Sequence, residues 1–350
     1  MNPPRKHIYD ALSDLIGGTA LRQLKNIDVP NGNRIWAKLE FQNPTESAFD
    51  RVYPGLFALA ESQGAIRPGV TPVIECSTGN AGASFAWVAR ELGYQSTVVI
   101  HADSPPARIE QIRRLGAQII LSPAGLYGAG YVELLNELLA ADRSRHQTIG
   151  AAPLERLYAV TKIVPAARQF HAPIATEAIH QLAAQSGRTT FAAFVAAVGS
   201  GDLICGVAEG FHAAGRHPVV VGMESAEMPT VSTLRDGGVL SSDPLPVDDL
   251  MLGVTGTSLP PERLNIDFSM INDVRGVTIA AWKEASQLLA EREGLHVGRT
   301  SAGSFAAAME ICEGFSDSDV LTVFFDPSWK YGTAFTPANP ALYDVEEEVG

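Results

Sequence analysis

The stretch Asn43-Pro44-Thr45-Glu46-Ser47-Ala48-Phe49-Asp50-Arg51 organises this chain of 350 residues. It predicts a turn that runs into a helix, because the residue before a proline is disfavoured in the helical conformation. Thr45 or Ser47 can cap the helix that follows, and the acidic residues lie near its positive end. The stretch therefore marks the point where one strand ends and a helix begins.

A second stretch, Glu75-Cys76-Ser77-Thr78-Gly79-Asn80-Ala81-Gly82, also joins an apolar strand to a helix. The first N–H groups of a helix have no partner within the helix, and a turn of small residues leaves them accessible. This stretch therefore predicts an anion site.

Composition narrows the class of protein. The sequence is 46% hydrophobic and 19% charged, which is typical of an ordered globular chain. Its net charge of −13 argues against a nucleic-acid partner, and no apolar run is long enough to span a bilayer. Three scattered cysteines predict neither a disulfide framework nor a metal site, so we expect no metal and a reduced, cytoplasmic location.

Short apolar strands alternate with helices of ten or more residues along most of the chain. This alternation predicts an α/β fold with mainly parallel sheets and helices on both faces. We expect two three-layer α/β lobes, the smaller over residues 42–150 and the larger over residues 1–41 and 151–350. The active cleft is predicted between them, where strand C-termini meet helix N-termini.

Taken together with Ile16–Leu21 and Ala37–Glu40, the two stretches resemble the cysteine synthase and cystathionine β-synthase family. This is the β-family, or fold type II, of pyridoxal-phosphate (PLP) enzymes, with a tryptophan synthase β-like fold. Leu289–Ser301 and Phe325–Ser328 follow in the expected order, so that the likeness covers most of the chain. The resemblance implies a homodimer.

The resemblance places the family's Schiff-base lysine at Phe49. A phenylalanine can neither hold the PLP aldehyde nor move protons at a substrate carbon. Lys330, near where the pyridine end of PLP would lie, is the fallback anchor.

The family's phosphate loop corresponds to Gly199-Ser200-Gly201-Asp202-Leu203, and Ser328 is the other residue assigned to the former cofactor position. The loop has lost a hydroxyl at Leu203 and gained a carboxylate at Asp202, which repels a phosphate. Helix capping is the simpler explanation of Asp202, and the loop is poorly suited to a phosphate in either case. Because this change is independent of Phe49, we expect no cofactor.

The substrate loop is retained. The resemblance implies that Ser77, Thr78, Gly79, Asn80 and Ala81 bind a substrate carboxylate, although a plain strand-to-helix cap would explain the same residues. Two further substrate-binding residues are predicted beside them, Arg299 and Ser301, because an arginine can bind a second carboxylate in bidentate fashion. Glu46 and Asp202 are the predicted acid–base residues, with surface charge as the simpler explanation of Glu46.

Three functions stay open from the sequence. The first is a PLP-independent, lyase-like enzyme that performs acid–base chemistry on an amino-acid-like carboxylate substrate. The second is a catalytically silent pseudoenzyme that binds a metabolite or a protein. The third is a PLP-dependent lyase or transferase that makes an amino acid by β-replacement with another lysine. The unusual charged residues beside a retained anion loop favour the first, by analogy of fold.

Overall fold

A computed structural model describes residues 12–77, 79–125, 127–149, 153–160, 166–239, 264–338 and 340–343. Its strands form two separate sheets. Their bounds are β1 Leu21–Gln23, β2 Arg34–Leu39, β3 Val73–Ser77, β4 Ser96–His101, β5 Gln118–Ser122, β6 Tyr158–Ala159, β7 Ala193–Ala197, β8 Val219–Ser225, β9 Asp273–Val277 and β10 Asp319–Phe324.

Ten α-helices in the described part of the chain connect and cover these strands. Their bounds are α1 Tyr53–Ser62, α2 Asn80–Glu91, α3 Pro106–Arg114, α4 Tyr127–Ile149, α5 Arg168–His171, α6 Pro173–Ser186, α7 Asp202–Ala213, α8 Thr230–Arg235, α9 Ile279–Leu288 and α10 Arg299–Ile311. A π-helical turn, Leu289–Glu293, continues α9.

The larger sheet has the strand order β1-β2-β10-β7-β8-β9. Only β1 runs antiparallel to its neighbour, and the other pairs are parallel. All six residues of β10 are buried, because helices cover both faces of the sheet. One face packs on α9 and α10, and the other packs on α6 and α7.

The smaller sheet has the order β5-β4-β3-β6, and all of its strands are parallel. Helix α2 packs on one face with α1 and α3, and α4 covers the other. The predicted fold of two three-layer α/β lobes with mainly parallel sheets is confirmed. The residue boundaries of the lobes stay a prediction.

One local prediction differs from the structure. The helix expected to follow Ser47 begins as a short 3₁₀ turn, Ala48–Arg51, before α1. Helix α2 begins at Asn80, and the Ser77 hydroxyl accepts hydrogen bonds from Gly79 N and Gly82 N. That side chain satisfies donors that would otherwise leave the first turn frayed.

No helix in the described ranges is both long and apolar enough to cross a bilayer.

Candidate functional site

The turn between β2 and α1 is closed by a buried carboxylate. Asp50 accepts from Thr45 N at 2.7 Å and from Thr45 Oγ1 at 2.6 Å. Burial raises the pKa of Asp50 to about 6, although these hydrogen bonds oppose the shift. Asp50 thus fixes the loop in which Glu46 and Phe49 lie.

Glu46 lies in this turn with φ of 58°, a left-handed conformation that is uncommon for residues other than glycine. Its Oε2 accepts from Trp329 Nε1 at 3.1 Å, and its Oε1 accepts from Ala338 N at 3.1 Å. Burial raises the pKa of the Glu46 carboxyl. Both oxygens therefore hold the C-terminal segment, and Glu46 is not a simple surface charge.

Phe49 is half-buried and lies in an aromatic cluster. Its ring meets the ring of Phe325 edge-on at 5.4 Å between centroids, and Tyr53 and His171 each lie 6.4 Å away. Burial lowers the pKa of His171 to about 3, so this histidine stays neutral. Its Nδ1 has no hydrogen-bond partner among the described residues.

The loop before α7 is organised by its new carboxylate. Ser200 Oγ and Asn265 Nδ2 each donate to Asp202 at 2.6 Å. Burial raises the pKa of Asp202, and these two hydrogen bonds counteract part of the shift. The simpler explanation that Asp202 caps α7 is not what the structure shows, because Gly201 occupies the N-cap position and no side chain bonds to it there.

The loop before α2 depends on a glycine and a serine for its shape. Gly79 has φ of 145°, and a Cβ there would lie 2.4 Å from Arg108 Cδ, so only glycine fits. Ser77 satisfies the third N–H of α2, while no acceptor in the described part of the chain receives the N–H of Asn80 or Ala81. Thr78 lies outside the described residues.

Both polar atoms of the Asn80 side chain form hydrogen bonds within the protein. Its Nδ2 donates to Asp326 Oδ2 at 2.6 Å, and its Oδ1 accepts from Lys330 Nζ at 2.9 Å. Lys330 Nζ also donates to the carbonyls of Thr45, at 2.6 Å, and Glu46, at 3.0 Å. Lys330 is fully buried, and this burial lowers its pKa to about 8. The fallback anchor is therefore a cross-link between the turn and the substrate loop.

Asp326 is the centre of this network, and sequence reasoning missed its role. Besides Asn80, it accepts from Arg108 Nη2 at 3.2 Å and from the Tyr331 hydroxyl at 3.0 Å. Arg108 lies in α3 of the smaller lobe, whereas Asp326 follows β10 of the larger sheet. An acidic residue two positions after the end of a buried parallel strand is the sequence signal for such a role.

The other predicted substrate residues surround this network. The Arg299 guanidinium lies 5.4 Å from the ring centroid of Trp282 and 5.3 Å from that of Tyr331. Ser301 Oγ accepts from Phe325 N at 2.8 Å, so it supports the ring against which Phe49 packs. Ser328 begins a 3₁₀ turn, and its N–H donates to the carbonyl of His296.

The structure thus groups most of the predicted residues, but not all. The Lys330 amine donates both to the Glu46 carbonyl and to the Asn80 side-chain oxygen. The guanidinium groups of Arg299 and Arg108 both lie near the Tyr331 ring. Among the described residues, no hydrogen bond joins Asp202 to Glu46 or to Arg299.

Comparisons with known proteins agree on one family. Residues 12–326 match the family model described as pyridoxal-phosphate dependent enzyme. A probable cysteine synthase of Bacillus subtilis (strain 168) is 27% identical over 312 residues, which is 88% of this chain and 91% of the relative.

Solved structures have the same fold. A hydrogen sulfide-producing enzyme from Fusobacterium nucleatum has a TM-score of 0.78 at 23% identity, over 93% of this chain and 100% of that one. An O-acetylserine dependent cystathionine beta-synthase from Helicobacter pylori has a TM-score of 0.76 at 24% identity, over 95% of this chain and 100% of that one.

These findings overturn one prediction. We expected no cofactor, yet the family and its cysteine synthase-like relatives point to PLP, so that prediction is wrong. It relied on two substitutions, at positions 49 and 202, and a substitution at an attachment residue removes one bond to a cofactor without removing the pocket.

The residues present do not fit one part of the family's arrangement. Phe49 has no amine, and Lys330 Nζ is fully buried in three hydrogen bonds, so neither side chain fits a covalent link to PLP. The rest of the scaffold matches its relatives from β1 to β10. The chain belongs to the family of pyridoxal-phosphate dependent enzymes, and it is a cysteine synthase-like member.

Proposed function

We propose that this chain is a small-molecule enzyme of amino-acid metabolism whose substrate carries a carboxylate bound at the N-terminus of α2. The observation that carries the proposal is the loop from Ser77 to Ala81. There Ser77 satisfies two N–H groups of its own loop, and the N–H groups of Asn80 and Ala81 meet no acceptor in the described ranges. Such a helix start attracts a carboxylate through its hydrogen-bond donors and its dipole.

Arg299 is the proposed second anchor of the substrate. Its guanidinium lies near the rings of Trp282 and Tyr331, which restrict its orientation. An oriented guanidinium binds a carboxylate or another acidic group through paired hydrogen bonds. This arrangement favours a substrate with negative charge at both ends over a monocarboxylate.

Asp202 is the proposed acid–base residue. It is almost fully buried, and the higher pKa that follows from burial brings a carboxyl closer to neutral pH, where it can take up and release a proton. Glu46 is the weaker candidate, because Trp329 and Ala338 already donate to its two oxygens. The proposed chemistry is a lyase-type proton transfer beside the substrate carboxylate.

A proline substitution tests the carboxylate loop directly. Ala81 is the second residue of α2, where proline is tolerated, so Ala81→Pro removes one N–H without breaking the helix. Calorimetric titration with a panel of mono- and dicarboxylic amino acids should show binding that weakens about tenfold to 100-fold in this variant, since one charge-assisted hydrogen bond is lost. The corresponding amino-acid amides should not bind.

A control variant decides the outcome. Arg216→Gln changes a half-buried arginine between α7 and β8 of the larger lobe, and it should leave binding unchanged. Equal affinity for acids and amides would refute the carboxylate site. Asp202→Asn should reduce any turnover about 100-fold, the lower range for loss of a general acid or base.

A binding protein without activity is the second candidate, and Phe49 favours it. The aromatic cluster of Phe49, Phe325 and Tyr53 stands where the resemblance places the reactive lysine. Tight binding of a carboxylate ligand, with no turnover of any tested substrate in the presence of added PLP, would select this function over the enzyme.

We also propose that the chain forms a homodimer, as the family resemblance implies. The protomer mass is 37.2 kDa. Light scattering coupled to size exclusion should give about twice this mass, and a value equal to one protomer would refute the dimer.

A further inference from the structure

The family points to PLP, but the side chain at position 49 prevents the usual attachment. Ser47 Oγ accepts from Phe49 N at 3.1 Å, which fixes the start of the 3₁₀ turn and the direction in which residue 49 leaves it. The ring then packs edge-on against Phe325, at 5.4 Å between centroids. An aromatic wall therefore stands where the resemblance would place an amine.

The other amines in the described ranges give no obvious replacement. Lys38 Nζ is fully buried and donates to Thr19 O, Thr19 Oγ1 and Glu177 Oε2, each at 2.6 Å. Lys330 Nζ is equally buried and has three acceptors of its own. Lys25 and Lys283 are exposed on the outside of the larger lobe. Forming an imine at Lys38 or Lys330 would remove a buried ammonium from its hydrogen-bond acceptors, which costs free energy.

The residues at the former cofactor position nevertheless keep features that suit a planar, anionic ligand. Phe49 is only half-buried, so part of its ring can contact a flat heteroaromatic ring. The loop 199–201 leads into α7, a helix of 12 residues whose N-terminus carries positive potential. Asp202 at that terminus weakens phosphate binding, and the hydrogen bonds that Ser200 and Asn265 donate to its carboxylate favour the charged form. Weak phosphate binding agrees with a ligand that dissociates readily.

We propose that PLP binds this chain as a dissociable ligand with no covalent bond to the protein, and that Phe49 replaces the attachment lysine as a wall of the pocket. This inference rests on the family membership and the aromatic cluster. It does not depend on the carboxylate substrate proposed above, so either can fail alone.

Equilibrium dialysis, desalting and borohydride reduction test the proposal on the full-length protein. The wild type should bind PLP saturably in dialysis, release it on desalting, and show no stoichiometric PLP mass after reduction. The matched variant Phe49→Lys should retain PLP on desalting and gain one PLP mass, located by peptide mapping to residue 49. The dialysis and mass results on the wild type stand alone if the variant does not fold.

Three results would overturn the proposal. The first is a stoichiometric adduct on one lysine of the wild type, whichever lysine peptide mapping identifies. The second is the absence of saturable PLP binding by the wild type. The third is a folded Phe49→Lys protein that binds PLP but forms no adduct, because Phe49 would then not stand at the attachment position. Traces spread over exposed lysines count as no adduct, since free PLP reacts slowly with surface amines.

Discussion

The ion pair between Arg108 and Asp326 should hold the two lobes together, and replacing one partner tests this. Both side chains are almost completely buried, with 1% and 0% of their surface exposed. Asp326→Asn keeps the shape of the side chain but removes its charge, which leaves the Arg108 cation buried without its carboxylate. Breaking one partner of a buried ion pair costs about 3–5 kcal/mol. We expect a loss of about 3 kcal/mol, because the asparagine oxygen can still accept from Asn80 or Tyr331.

Urea unfolding followed by tryptophan fluorescence and circular dichroism measures this loss. Trp87 lies in α2 and Trp36 in β2, so the fluorescence signal reports on both lobes. Glu110→Gln is the control, since its arginine partners on α3 are about half exposed or more and such pairs contribute less than about 1 kcal/mol.

A double-mutant cycle with Arg108→Met separates the ion pair from the other contacts of Asp326. The double variant should lose about 2 kcal/mol less than the sum of the single losses, because the Arg108 cation is then no longer buried without its carboxylate. If Asp326→Asn costs no more than the Glu110 control, the argument that this pair joins the lobes is wrong.

Three further predictions concern single positions. Gly298→Ala should lower the free energy of unfolding in urea by about 1–3 kcal/mol, because its Cβ would lie 2.0 Å from Asp326 Oδ1. Gly314→Ala is the control and should change this free energy little, because no atom lies within 4 Å of its Cβ. The folded-state pKa of Asp50 is raised from 3.8 to about 6, so its stabilising contribution is greatest in acid and is lost as pH rises through that window. The difference in unfolding free energy between wild type and Asp50→Asn should therefore fall by about 3 kcal/mol between about pH 3 and pH 7, and a flat difference would refute the shift. Arg299→Gln should weaken binding of dicarboxylic amino acids tenfold or more in calorimetry, with monocarboxylates less affected.

The sequence by itself determined the fold, because its pattern was redundant. The turn from Asn43 to Arg51, the loop from Ser77 to Gly82 and the alternation of strands and helices all indicated the same two-lobed scaffold. Apolar strands buried on both faces admit few other arrangements, so local errors at helix ends did not change the topology.

The roles of individual side chains depended on partners far away in the chain. The sequence predicts Lys330 as the fallback cofactor anchor, yet its amine donates to the carbonyls of Thr45 and Glu46, more than 280 residues earlier. Asp326 lies in a stretch that carries the resemblance, but the sequence assigns it no role, and in the structure it joins Asn80, Arg108 and Tyr331. Hydrogen bonds between distant residues follow from how the lobes pack, and no local sequence pattern records them. The tertiary structure alone therefore decided which polar residues hold the cleft together and which remain for a ligand.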